Sequence, residues 1–227
     1  GNSTICFKKH DLIMDEEISI INEKTRNEKI RSFLSNNRKF LFISLIILIF
    51  TIIGFFSYKF YQDKQIKHLS NKYNKAVIAY KNGNNKEIYS SMRQIIDNKD
   101  TTYSPLALYF LIDNNLIDNN DEANELFNVL IKKTPLENEI KNLIIYKKAL
   151  YNADNSSENE LLEILKPLLN SESVWKSHAL YLAAEFFYSK KQKQKSKEFF
   201  NEIINTKNAN QDIVKEARKR LSRDLSD

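Results

Sequence analysis

The chain has 227 residues, with 35 Lys and Arg against 29 Asp and Glu and a formal net charge of +6. Three Gly and three Pro are too few for the Gly-rich turns of dinucleotide-binding sheets, phosphate-binding loops and most β-sandwiches. One Cys (Cys6) and three dispersed His (His10, His68, His178) leave no disulfide framework, no Cys-based zinc site and little acid–base chemistry. Composition therefore points to an all-α protein, not an enzyme, with no catalytic, cofactor-binding or metal residues and no small-molecule substrate.

Residues 1–13 differ in character from the rest of the chain, and Met14-Asp15-Glu16-Glu17 has the form of a natural start, so 1–13 read as an upstream-translated or non-native leader. Residues 14–39 then make a short charged cytoplasmic segment. A weakly amphipathic helix is expected over 15–35, with Ile18, Ile21, Ile30, Phe33 and Leu34 as its apolar positions. Such a helix suits a membrane surface or a partner, and a frayed tail is the alternative.

Residues 40–58, FLFISLIILIFTIIGFFSY, carry no charge. A helix of that length covers roughly 28 Å, close to the ~30 Å hydrocarbon core of a bilayer. Arg38 and Lys39 close one end and Lys59 the other, with Phe55, Phe56, Tyr58, Phe60 and Tyr61 crowded at the C-terminal side as an interfacial aromatic cluster. The run is too long for a typical signal-peptide core, and no small-residue cleavage site comes after it. It reads as one uncleaved transmembrane helix. Six Lys/Arg lie in the 20 residues before it and five in the 20 after, so flanking charge barely sets its direction. The short N-terminal side points to a cytoplasmic N-terminus and a translocated C-terminal part. Lone Gly54 gives no Gly-x-x-x-Gly motif for close self-association.

Residues 59–227 hold about 27 basic and 23 acidic side chains, spread without a basic stripe, which argues against nucleic acid as a partner. Apolar residues recur at helical spacing throughout. The first helix runs to about Lys81, ending at Asn82-Gly83-Asn84, where Gly83 suits a left-handed cap. Further helices are expected near 85–97, 104–114, 120–133, 136–152, 157–169, 172–190, 192–206 and 210–225. Ser104-Pro105 reads as a cap followed by a first-turn proline.

Helices of this length joined by short polar turns form hairpins of about 35 residues, close to the tetratricopeptide repeat (TPR) period of about 34. Small residues are expected where the helices of a hairpin cross, and bulky ones beside them. Ala183 and Ala184 with Ser196 and Phe200 fit in the last hairpin, Ala123 and Phe127 in an earlier one, and Ala76 near the span; Trp175 is expected to pack between repeats. Hairpin 136–169 fits worst, because Ala149 is followed by Leu161, Leu165 and Leu168 with no small residue in the second helix. The expected fold is one N-terminal transmembrane helix followed by a TPR-like α-solenoid of about four degenerate hairpins over 59–227. The last helix, with Lys215, Arg218, Lys219, Arg220 and Arg223 on a polar face, reads as its cap. Tyr80, Tyr103, Tyr109, Phe110, Tyr146, Tyr181 and Phe186 lie mainly on first helices, which line the concave face of TPR arrays. Those left exposed are the candidate protein-interaction surface. His178 reads as half-exposed and structural, and the Lys190–Lys197 run as a solvated hairpin tip.

The order of these features resembles bacterial membrane-anchored TPR-like proteins related to the ancillary subunit of the SecYEG translocon. An acidic start (Asp15-Glu16-Glu17) precedes a charged helix, a single span, and a helix ending near Asn82-Gly83-Asn84. The best local match is Ser173-Val174-Trp175-Lys176-Ser177-His178-Ala179 before Leu182-Ala183-Ala184, similar to the family's Pro-Trp-Arg-x-x-Ala stretch, with Val174 in place of the proline. The resemblance implies a single-pass inner-membrane protein with its TPR-like domain in the periplasm. Its implied partners are Sec translocon subunits, periplasmic folding factors and exported clients, whose handover or chaperoning it assists. The alternative is a structural scaffold in cell division or envelope assembly, without client binding.

Overall fold

The computed structural model describes residues 21–83 and 87–226. The leader, the Met14 start and Asn84 of the first turn lie outside the described residues. Among the described residues the chain is all-helical, without strands. It folds as two units, one up to Lys64 and one from Gln65 onward.

In the first unit, helix α1 covers 21–36 and is followed after Asn37 by α2 (Arg38–Lys81), which passes into the second unit's sequence. Between Phe40 and Tyr61 the large apolar side chains of α2 are exposed, from 38% at Ile46 to 72% at Phe40, except for Leu41, which is half-buried. Soluble surfaces rarely carry so continuous an apolar sleeve. By length and composition α2 is long and apolar enough to cross a membrane.

The second unit contains the remainder of α2, then α3 (Ile88–Asp97), α4 (Tyr103–Asp113), α5 (Asn120–Asn128), α6 (Asn138–Asn152), α7 (Glu158–Leu169), α8 (Lys176–Ser189), α9 (Lys193–Asn205) and α10 (Gln211–Asp224). Three helix ends are set by local residues, Gly83 as expected. Gly83 ends α2 at φ +77°, Ser157 and Glu160 form a capping box at α7, and the Asn210 side chain caps α10. Ser104 does not cap α4. Its hydroxyl is buried and donates to the carbonyl of Ile95 at 2.9 Å, while Asp100 accepts from the backbone of Thr102 and Tyr103. The 120–133 helix is also not uniform. After Asn128 it widens into a π-turn, Val129–Lys133, whose Val129 carbonyl accepts from the buried Thr134 hydroxyl. Helix α8 begins at Lys176, later than expected, because Ser173 Oγ holds the Trp175 amide in a preceding turn.

In chain order the helices make four hairpins, the end of α2 with α3, α4 with α5, α6 with α7, and α8 with α9, and α3 also packs closely against α4 of the next hairpin. Each hairpin carries a pair of buried positions 12 residues apart in sequence: Ala76 and Ile88, Leu111 and Ala123, Ala149 and Leu161, Ala184 and Ser196. All eight are buried. At least one member of every pair is small, and which helix supplies it changes from hairpin to hairpin. One small side chain is enough to let two backbones approach. Hairpin 136–169 therefore does not depart from the pattern, since Ala149 provides the space for Leu161 within one buried cluster. In the last hairpin both members are small, and Ser196 Oγ donates to the Ala184 carbonyl at 2.8 Å.

Behind the crossings, Met92, Phe127, Leu165 and Phe200 are fully buried, as are Ile95, Leu130, Leu168 and Ile203 three residues on. Polar ties about one repeat long link neighbouring hairpins. They join Arg93 to Glu125 at 2.6 Å, Glu139 to Ser173 at 2.8 Å and Glu158 to Lys195 at 3.0 Å. Helix α10 closes the stack. Its Arg220 is buried over the rings of Tyr188 and Phe200, pairs with Glu185, and lies 2.6 Å from Asp224. Arg218, Lys219 and Arg223 remain on its outer side, as a solenoid end requires.

Candidate protein-interaction surface

The aromatic residues singled out in the sequence separate into three groups. Phe186 is buried at 5% exposure and packs edge-on to Phe187, so it belongs to the core and not to a surface. Tyr80, Tyr103 and Phe110 join Tyr73 in a ring cluster between α2 and α4, with Phe110 5.3 Å from Tyr80 and 6.3 Å from Tyr73. Tyr181 packs edge-on to Phe200 at 5.6 Å. These half-buried rings hold first helices to their neighbours. Of the packing candidates, Ala76, Ala123, Phe127, Ala183, Ala184, Ser196 and Phe200 are buried, and only Trp175 stays partly open.

Tyr109, Tyr146 and Trp175 form the third group, on α4, on α6 and at the start of α8. These are first helices of three successive hairpins. Their outward stripes keep to helical spacing: Leu106, Tyr109 and Asp113 on α4; Ile140, Leu143, Lys147 and Leu150 on α6; Trp175, His178, Leu182 and Glu185 on α8. The Lys147 ammonium lies 4.5 Å from the Tyr109 ring centroid, joining α4 to α6. Between them is a cleft of about 270 Å³, with Ile112, Leu150 and Tyr151 in its wall and Phe127 also contributing. Tyr146 and Trp175 stack at 5.9 Å with 20° between planes, and His178 completes the cluster 4.9 Å from Trp175, joining α6 to α8.

Four aliphatic side chains extend this strip: Leu106, Ile140, Leu150 and Val174, between 38% and 64% exposed. The sequence reading, looking for aromatics, did not single them out. The available signal was i, i+3, i+7, i+10 spacing in α6 (Ile140, Leu143, Lys147, Leu150), a stripe on the side opposite the buried Ile145.

The strip carries little charge. Burial, reinforced by the Asp113 carboxylate, pushes the Tyr109 phenol up to about 12. Burial also raises Tyr146. His178 is lowered, because burial disfavours its charged form more than a backbone contact with Val174 restores it. At neutral pH the three rings are uncharged, leaving Lys147, Asp113 and Glu185 as the ionised groups of the stripes. Such a surface suits apolar and aromatic side chains of a polypeptide. Among the described residues no group of three or more His, Cys, Asp or Glu could hold a metal.

His178 yields a pH prediction. Its folded-state pKa lies below its unfolded value, so the neutral form is favoured in the fold and protonation on acidification weakens the cluster. Emission from Trp175, the chain's single tryptophan, should fall as pH drops below the ordinary His range of about 6.5, and recover on return to neutral pH. The titration should vanish in His178→Gln. A flat profile in the natural chain would show that the ring stays neutral or does not sense Trp175.

Residues 31–215 match the profile of the tetratricopeptide repeat-like domain, which is more than half of the chain. No curated protein and no solved structure matches the chain significantly. TPR-like domains are typically protein-interaction modules and not enzymes, in keeping with a strip of aromatic and aliphatic side chains. By its profile match and by its four stacked hairpins, the chain belongs to the tetratricopeptide repeat-like family.

Proposed function

We propose that this protein is a single-pass membrane-anchored interaction module of the bacterial inner membrane, with a cytoplasmic N-terminus and its TPR-like domain in the periplasm. In this reading it associates with the Sec translocon and with periplasmic folding factors, and assists the handover of newly exported chains. The carrying observation is the strip along α4, α6 and α8, where Tyr109, Tyr146 and Trp175 alternate with exposed Leu106, Ile140, Leu150 and Val174. An unfolded exported chain displays the apolar side chains that such a strip buries, and stacked rings each contribute about 0.5–1.5 kcal/mol beyond area burial. The exposed apolar part of α2 supports the anchor, and the resemblance to translocon-associated proteins supports the compartment.

Binding of a reduced, unfolded exported polypeptide to the detergent-solubilised full chain tests the function. The double variant Tyr146→Ala/Trp175→Ala should weaken it at least tenfold, while Lys219→Ala on the outer side of α10 should leave it unchanged. Equal binding by all three proteins would remove the strip from the reading. A chain that ignores unfolded polypeptides but retains one folded membrane partner is instead a scaffold. A phosphatase reporter fused after Asp227 tests topology separately: it should be active, and an inactive fusion would place the domain in the cytoplasm.

A further inference from the structure

Helix α1 has no packing partner among the described residues. Ile30, Phe33 and Leu34 share one face at i, i+3, i+4 spacing and are 50–60% exposed. Lys29 and Arg31 flank that face, Lys24 and Arg26 precede it, and Arg38 and Lys39 lie beyond it at the start of α2. Only Glu23 and Glu28 oppose these six basic residues within 21–39. At the joint, Asn37 directs both its backbone N–H and its side-chain amide to the Phe33 carbonyl, each at 3.0 Å. Two donors on one acceptor make this a weak point of the helical ladder, where a bend is least costly.

We infer that the Ile30–Phe33–Leu34 face of α1 binds the surface of an anionic phospholipid bilayer, beside the point where α2 enters it. This rests on the reading of α2 as a span. An unbent helix would carry Ile30 about 15 Å beyond Phe40, the first residue of the apolar run. The polar layer on each side of the hydrocarbon is only roughly 5–8 Å deep. Bending at Asn37 brings all three apolar side chains into that layer, while Lys29 and Arg31 extend along it toward lipid phosphates. Charge complementarity selects anionic headgroups, at about a fivefold gain in immersion equilibrium per basic residue near the surface. The face is short, so binding depends on both the apolar triplet and the charge.

The test uses the full chain with Cys6→Ser and one spin label at a time, introduced through Phe33→Cys, Ser32→Cys or Leu48→Cys. Each protein is reconstituted into vesicles of phosphatidylcholine, with or without phosphatidylglycerol, and the label's access to oxygen and to a water-soluble nickel reagent is read. The label at 48 reports the span and should favour oxygen in both vesicle types. The label at 33 should favour oxygen only with phosphatidylglycerol, and should lose that preference in Lys29→Glu/Arg31→Glu, while the label at 32 stays with the nickel reagent. A label at 33 that behaves like the one at 32 in anionic vesicles overturns the inference while the span stands. Shielding of 33 from both reagents would mean a second copy covers the face, which also overturns it. A label at 48 open to nickel removes the span and the inference together.

Discussion

Exchanging Ala149 and Leu161, by Ala149→Leu with Leu161→Ala, should cost clearly less stability than the two single changes added together. Both residues are fully buried in one cluster, on the two helices of the third hairpin. Leu161→Ala alone removes a core side chain and leaves a cavity, at about 2–5 kcal/mol. Ala149→Leu alone forces extra volume between close backbones, at about 1–3 kcal/mol. If the small residue's task is to make room at the crossing, either helix can provide it, as the second hairpin does with Leu111 and Ala123. The double variant should then recover at least about 1 kcal/mol of the sum, a coupling typical of residues in contact. Chemical denaturation of the four proteins closes the cycle. Strict additivity would mean that the two side chains do not share space.

Phe200→Ala should be the most damaging single substitution in the last repeat. The ring is fully buried, meets Tyr181 edge-on, and covers the Arg220 guanidinium at 5.5 Å. Its loss should cost about 3–5 kcal/mol by cavity formation alone. That is a large part of the roughly 5–15 kcal/mol that holds a domain together. Arg220 would keep Tyr188, Glu185 and Asp224 but lose one wall of its pocket, so α10 should loosen first. Limited trypsin digestion should cut early after Lys207, in the turn before α10, with the first three hairpins still protected. Uniform cleavage along the chain would show that the end of the stack does not respond separately.

Much of this architecture was legible in the sequence because its signals are local. Gly83, Ser157 with Glu160, and Asn210 mark helix ends through hydrogen bonds or φ values that neighbouring residues determine. Ser104 misled for the same reason: its local pattern is that of a cap, but Ile95, in the preceding helix, offered a buried carbonyl. The π-turn at Val129 depends on Thr134 closing a widened carbonyl, a pairing with no distinctive spacing. The strip was only half visible. Tyr109 and Tyr146 stood out as aromatics, but separating them from Tyr80, Tyr103 and Phe110 required the ring cluster in which Tyr73 meets Tyr103 and Phe110, and Phe110 meets Tyr80. Trp175 was expected to pack between repeats; it stacks on Tyr146 and also keeps part of its surface open. Leu106, Ile140, Leu150 and Val174 were not singled out as surface residues, because apolar side chains at helical spacing ordinarily face a core.

The central claim is that the first-helix strip is where partners bind. Photo-crosslinking in intact bacterial membranes tests it most directly, with probes placed one at a time at Tyr109, Leu150 and Val174 on the strip and at Asn159 and Glu198 on second helices. The account predicts strong adducts from the three strip positions, containing Sec translocon subunits, periplasmic folding factors or exported chains, and little from the two second-helix positions. Adducts formed mainly from Asn159 and Glu198, with the strip silent, would contradict it.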